Sequence, residues 1–186
     1  MRIISGRLKG KSIKFIKNST TRPLKDSVKE NIFNILEHSK EVNVKITKAN
    51  ILDLYSGIGS FGIECISRGA NRVTFVEQDR NIANILKDNL IQLSILDKTE
   101  IITNKIENVL KKEQLKKYNI FFFDPPFADK EFLKNIDLIK KNKIYENDHV
   151  VIIHRERKTQ DKLDNFIDTI FFREYGRSKI LFGVFN

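Results

Sequence analysis

Cysteine is nearly absent from this chain: Cys65 stands alone among 186 residues. An internal disulfide and a multi-cysteine metal site are therefore both excluded. Its place inside an apolar helical segment reads as a small core residue, compatible with a reducing compartment. Only three histidines are present, and no His/Cys/Asp grouping has metal-ligand spacing, so no bound metal is expected. Long apolar runs are missing as well. None approaches the roughly 18 residues that a membrane span requires, and the opening Met1 to Arg7 lacks the apolar stretch and small-residue cleavage site of a secretory signal. A cytoplasmic protein is the expectation. There is no internal repeat and no low-complexity linker.

What remains is ordinary globular material, 40% hydrophobic and 31% charged, enough for one domain with a small appendage. The formal net charge is +10, a field that draws polyanions to the surface. A general bias toward Lys, Asn and Ile also raises lysine everywhere, so where the charge sits matters more than its total.

Basic residues crowd the first 20 positions: Arg2, Arg7, Lys9, Lys11, Lys14 and Lys17. Arg2-Ile3-Ile4 and Ser12 to Ile16 flank Gly6 and Gly10, a pattern of two short strands around a turn. Like charges so close would weaken a free hairpin, so the main domain or a partner must hold it. Thr21-Arg22-Pro23 leads into a helix, with Ser27 and Glu30 spaced as a capping box and Val28, Ile32, Ile35 and Leu36 on one face. Residues 39–49 read as a polar connection.

From Asn50 strands and helices alternate, which predicts a mostly parallel α/β sheet. Strands are expected at 51–55, 72–76, 100–103, 120–123 and 150–153. Helices are expected over 61–68, from Asp79 to about Leu93, up to Leu110, and over 131–140. A helix-like segment around Lys162 to Phe166 precedes Ile170-Phe171-Phe172 and Ile180-Leu181-Phe182, which are split by Tyr175-Gly176-Arg177. This end predicts an antiparallel pair closing the sheet.

Two segments carry chemistry. Gly57, Gly59 and Gly62 satisfy G-x-G-x-x-G between a strand and a helix, where a ligand can approach backbone closely. Nicotinamide, flavin and S-adenosylmethionine enzymes all share that loop. Glu77, 20 residues on at the end of the next strand, suits the hydroxyls of a ribose. The second segment, Asp124-Pro125-Pro126-Phe127, follows an apolar strand at the carboxyl edge where such sheets bind ligands. Its prolines fix the backbone and expose carbonyl oxygens. An exocyclic amine on a base is a poor nucleophile because its lone pair is delocalised into the ring. Hydrogen bonds from its two protons to the Asp124 carboxylate and the Pro125 carbonyl would localise that pair and aim it at a methyl donor. Phe127 would stack on the flipped base.

Together these motifs resemble the RsmD family, which methylates guanine N2 in small-subunit ribosomal RNA, almost end to end. The likeness rests on Arg2-Ile3-Ile4-Ser5-Gly6 with Arg7 to Gly10, and on Thr21-Arg22-Pro23 with Asp26, Val28 and Glu30. It continues through Asp53 to Gly59, Ser67-Arg68-Gly69-Ala70, Val73 to Glu77 and Asp124 to Phe127. It implies a Rossmann-like class I methyltransferase dependent on S-adenosylmethionine, with residues 40–186 as the catalytic domain and 1–39 as a basic RNA-binding extension. The cofactor site would comprise Asp53, Tyr55, Gly57 and Gly59 with Glu77, Gln78, Lys105 and Ile106. Asp124, Pro125, Pro126 and Phe127 would be catalytic, and Arg2, Arg7, Lys9, Lys11, Lys14 and Arg22 would meet RNA phosphates. A monomer acting on ribosomal RNA or the small-subunit particle is implied.

The chain departs from the family at two places. Leu24 and Lys25 replace two threonines of the N-terminal signature, and Lys105 stands where relatives place Asp or Asn against the adenine amine. Lysine cannot accept that hydrogen bond, leaving backbone near Ile106 and packing to hold the base. His38 and His154 read as surface polarity, and Arg155 and Arg157 as either RNA contacts or solvated residues. Rival readings are an adenine-N6 methyltransferase with the same Asp-Pro-Pro-aromatic geometry, a protein glutamine methyltransferase, a nicotinamide-dependent oxidoreductase and a non-catalytic RNA-binding module.

Overall fold

The structure is a computed structural model that describes residues 1–15, 24–111 and 116–186. Seven strands form one sheet: β1 (Asn50–Leu54), β2 (Arg72–Glu77), β3 (Thr99–Thr103), β4 (Tyr118–Phe123), β5 (Tyr145–Glu156), β6 (Ile167–Tyr175) and β7 (Ser178–Phe185). Their order is β3-β2-β1-β4-β5-β7-β6. The first five are parallel, and β7 then pairs antiparallel with both β5 and β6. The expected sheet, including its antiparallel close, is what forms.

Period-two burial explains why this sheet has no wet face at its centre. Along β4, Ile120 and Phe122 belong to one apolar cluster, and Phe121 and Phe123 to the other. All four are at most 3% exposed. Residues of β5 sort the same way, Val150 and Ile152 against Val151 and Ile153. One face is covered by α1 (Asp26–His38), α2 (Ser60–Ser67) and α3 (Arg80–Gln92), the other by α4 (Ile106–Leu110) and α5 (Phe132–Asn142). Phe61 of α2 stacks between Phe33 of α1 (5.2 Å) and Phe122 of β4 (4.0 Å). Burying each such side chain is worth about 1.5–3 kcal/mol.

Several local expectations are corrected. Among its described residues the N-terminal arm has no strand pair but a single antiparallel bridge, Arg2 to Ser12; Ile16, expected in the second strand, falls outside them. Around it Ile3 N donates to Lys11 O and Gly10 N to Ile3 O. Helix α1 starts at Asp26 with Lys25 as its cap, and no side chain caps it, so Ser27 and Glu30 form no capping box. The 39–49 connection is not polar throughout: Val42, Val44 and Ile46 alternate into the core. The segment 162–166 is not a helix but ends in a turn at 164–166, with Leu163 buried.

The arm is held by buried charge that no local sequence pattern marks. Lys29 on α1 and Glu64 on α2 are 1% and 0% exposed and lie 3.7 Å apart. Glu64 accepts Ile4 N and Ser5 N on separate oxygens, both at 2.9 Å, and Arg68 Nε at 3.0 Å. Lys29 Nζ donates to Arg2 O. Burial pulls the Lys29 pKa down, opposed by Glu64 and Asp26. Ser67 donates to Ser5 O and accepts from Leu8 N. Gly6 passes so close to this helix end that a Cβ would stand 2.0 Å from Ser67 O, which only glycine permits.

Candidate active site

The strand order reverses between β1 and β4, and in such sheets the crevice beyond the carboxyl ends at that point is where ligands lie. A cavity of about 790 Å³ opens there, within the range of small-molecule sites. It gathers residues at the carboxyl ends of four strands, β1 to β4. Asp53, Tyr55, Gly57, Glu77, Gln78, Lys105 and Ile106 line it together with Asp124, Pro125, Pro126 and Phe127.

Glu77, at the end of β2, is aimed by two backbone amides, Gly57 N on Oε2 and Asp79 N on Oε1, each at 2.9 Å. Gly57 has open space where a side chain would stand. Asp53 is fully buried and accepts Gly62 N at 3.0 Å, in the first turn of α2. Burial pushes its carboxyl well above the usual range, with Asp124 and Glu77 adding to the effect and the Gly62 amide opposing it. Tyr55 turns the chain out of β1 at φ 61°, a conformation rare for a residue with a bulky side chain. Its hydroxyl accepts from Asn135 Nδ2 at 3.1 Å, and burial raises its pKa. Val76, Ile58, Ile82 and Ile106 give the cavity an apolar wall beside Glu77.

Gly59 is not among the cavity-lining residues. It caps α2 at φ 84°, and a Cβ there would stand 2.4 Å from Leu86 Cδ1. Its part is to let the loop turn against α3. Lys105 caps α4 without a side-chain bond, and the Asn104 amide oxygen accepts Lys105 N and Asn108 Nδ2.

The other side of the cavity, around Asp124, is built differently. Asp124 leaves β4 with Oδ1 2.7 Å from His154 Nδ1, and His154 Nε2 lies 2.9 Å from Ser178 Oγ. The reading of His154 as surface polarity is overturned: it is 8% exposed and lines the cavity. Its ring sits edge-on to Phe127 with centroids 6.0 Å apart. Arg155 is neither solvated nor free for RNA. It is 3% exposed, pairs with Asp161, and donates to the carbonyls of Pro126, Phe127 and Asp129. Its guanidinium also lies over the Phe132 ring. Arg157, half-exposed, pairs with Glu174. No hydrogen bond among the described residues uses the Pro125 carbonyl.

Of the expected RNA contacts, Arg2, Arg7, Lys9, Lys11 and Lys14 are exposed on the arm, and Lys14 lies 3.9 Å from Asp88. Arg22 and its Thr21-Arg22-Pro23 signature fall outside the described residues. Met1 and Phe15, at the two ends of the described arm, reach the cavity wall. Among the described residues no group of three or more His, Cys, Asp or Glu side chains could hold a metal ion. No described helix is long and apolar enough to cross a membrane.

The profile of a family described as conserved hypothetical protein 95 matches residues 1–184. Ribosomal RNA small subunit methyltransferase D of Buchnera aphidicola (subsp. Baizongia pistaciae) is 37% identical over 163 residues, 88% of this chain and 79% of that protein. The Haemophilus influenzae protein of the same name is 32% identical over 159 residues, 84% and 79% of the two chains. Among solved structures, yhhF of Escherichia coli superposes with a TM-score of 0.83 at 25% identity, covering 100% of this chain and 98% of that one. The chain belongs to the small-subunit ribosomal RNA methyltransferase D family.

Proposed function

We propose that this chain transfers a methyl group from S-adenosylmethionine to the exocyclic N2 of a guanine in small-subunit ribosomal RNA. One observation carries the reading: Asp124 Oδ1 is tied to His154 beside the same cavity that Glu77 and Gly57 line. That leaves the other carboxylate oxygen and the Pro125 carbonyl to receive the two protons of an amine.

The residues present fit the cofactor. Glu77, braced by amides, would accept hydrogen bonds from ribose hydroxyls; the open space at Gly57 would admit the chain between ribose and amino acid; buried Asp53 would hold the cationic end. The first amides of α4 offer donors to a ring nitrogen, and Ile106 and Ile82 pack the ring, so Lys105 need not accept a bond. When bound, S-adenosylmethionine supplies a methyl group on cationic sulfur, a leaving group that departs as a neutral thioether. Asp124 and Pro125 would hold the base amine with its lone pair aimed at that methyl group, so that the N–C bond would form as the S–C pair leaves with the thioether. The nitrogen, then positively charged, gives its proton to the Asp124 carboxylate. Phe127 keeps the ring flat. Catalysis is chiefly orientation, which can supply about 7–11 kcal/mol.

The arm supports phosphate contacts from Arg2, Arg7, Lys9, Lys11 and Lys14, with Arg22 following in sequence, and residues 1–39 serve as the RNA-binding extension of a catalytic unit at 40–186. Phosphate contacts give affinity without reading sequence, so an unpaired or flippable guanine supplies specificity. The protein acts in the cytoplasm as a monomer.

The test is transfer of isotopically labelled methyl from S-adenosylmethionine to unmodified small-subunit particles and to their naked RNA, with the nucleoside identified by mass spectrometry. Label in N2-methylguanosine is expected. Label in N6-methyladenosine would keep the cofactor and replace the substrate. No label, with no rise in melting temperature on adding S-adenosylhomocysteine, would overturn the reading.

A further inference from the structure

We infer that His154 is a positioning residue for the proposed methyl transfer: it fixes the plane of the Asp124 carboxylate and is itself anchored by Ser178. The inference rests on the methyltransferase reading above.

Geometry supplies the argument. A carboxylate on a short side chain can rotate about its last bond, exchanging which oxygen faces the substrate. His154 Nδ1 at 2.7 Å removes that freedom by holding Oδ1. Among the described residues no hydrogen bond uses Oδ2, which is left for the amine. Facing a carboxylate, Nδ1 carries the proton and donates; in the neutral imidazole Nε2 then accepts from the Ser178 hydroxyl at 2.9 Å. The imidazole thus has one donor and one acceptor, both used, and a single orientation satisfies both.

The elements that carry this chain are rigid. His154 lies on β5 in register with Ile180 of β7, and Ser178 begins β7 opposite Glu156. Asp124 follows directly on β4, whose neighbour is β5. The relay therefore spans three adjacent strands, while Arg155, one residue along, holds the loop carbonyls after Asp124. His154 also stands edge-on to Phe127, so the residue that orients the carboxylate braces the ring proposed to stack on the base. Positional errors near 1 Å at a reacting group cost about 100-fold in rate.

The experiment compares His154→Asn, His154→Gln, His154→Ala and Ser178→Ala in single-turnover methyl transfer to small-subunit particles, with S-adenosylhomocysteine affinity and melting temperature measured on each. Asparagine places an amide N–H near the Nδ1 position and keeps the Asp124 contact; glutamine reaches toward Ser178 instead. The expected order of rate is wild type, then Asn, then Gln, then Ala. Alanine should lose about 100-fold, with cofactor affinity within a factor of about two on all variants. Ser178→Ala should fall between wild type and His154→Ala. Equal losses for Asn, Gln and Ala, or losses that follow the melting temperature alone, would overturn the positioning role. Wild-type protein without transfer would instead overturn the methyltransferase reading, so the two failures are separable.

Discussion

The two sides of the cavity hold their carboxylates by different means. On the side proposed for the cofactor, Glu77 and Asp53 receive backbone amides: Gly57 and Asp79 for one, Gly62 for the other. On the acceptor side, Asp124 is held by a side chain, His154, and its loop by another, Arg155. An amide that belongs to a turn cannot be substituted away, whereas a side chain can. The cofactor side is thus written into backbone shape, and the acceptor side into residues that lie 24 to 30 positions apart. Mutations should therefore harm turnover more readily than cofactor binding.

The largest expected effect is on the acceptor side. Asp124→Ala should lower transfer by about 1,000-fold or more, while S-adenosylhomocysteine still raises the melting temperature. Turnover retained near wild type would break the contrast by removing the amine contact from Asp124.

Next comes Arg155. Replacing it with alanine strands the largely covered Asp161 charge and three loop carbonyls, an expected loss of about 3 kcal/mol of stability, read by denaturant unfolding. Arg155→Lys keeps the charge but not the fork, and should recover only part of it. Complete recovery by lysine would mean that charge alone, not the carbonyl grip, secures the loop.

Asp53 should behave in the opposite sense. Burial disfavours its ionised form and raises its folded-state pKa. The unfolded carboxylate ionises first as pH rises, so stability falls from about pH 4 upward. Asp53→Asn keeps an acceptor for Gly62 and lacks that titration. The variant should melt higher than wild type, with a gap that widens as pH climbs from 4, at the expense of cofactor affinity. A variant that melts lower at neutral pH would contradict the burial penalty.

Smallest of all is the arm. Substituting Lys9 and Lys11 by alanine should leave the melting temperature unchanged and flatten the salt dependence of RNA binding. Each lost phosphate contact should lower the slope by about 0.7–0.9. An unaltered slope would move the RNA to another surface.

The same contrast explains what was legible in the sequence. The glycine loop, Glu77 and Asp124 to Phe127 are contiguous or set by the strand-helix period, so they could be read without coordinates, as could the sheet and its antiparallel close. Asp79 capping α3 was equally local. His154 and Arg155 were misjudged because nothing beside them in sequence marks burial; their partners come from β4, β7 and the loop after β5. Lys29 sits within a helix whose neighbours are ordinary, and only the docked arm and Glu64 explain a lysine at 1% exposure. The capping box at Ser27 failed for a related reason: α1 begins two residues earlier than that cap would place it, at Asp26, with Lys25 in the cap position and no side chain bonded there.

The buried Lys29–Glu64 pair has a consequence for how the arm would meet a nucleic acid. Both Glu64 oxygens accept arm amides, so lifting residues 1–15 off α2 would strip two hydrogen bonds from a buried carboxylate and leave only Lys29 and Arg68 to hold it. Such an arm does not search solution as a loose tail, and the described part of it has little ordering entropy left to lose on binding. Calorimetry of RNA association should then show a modest heat-capacity change, without the large negative value that accompanies coupled folding, and encounter rates governed by ionic strength.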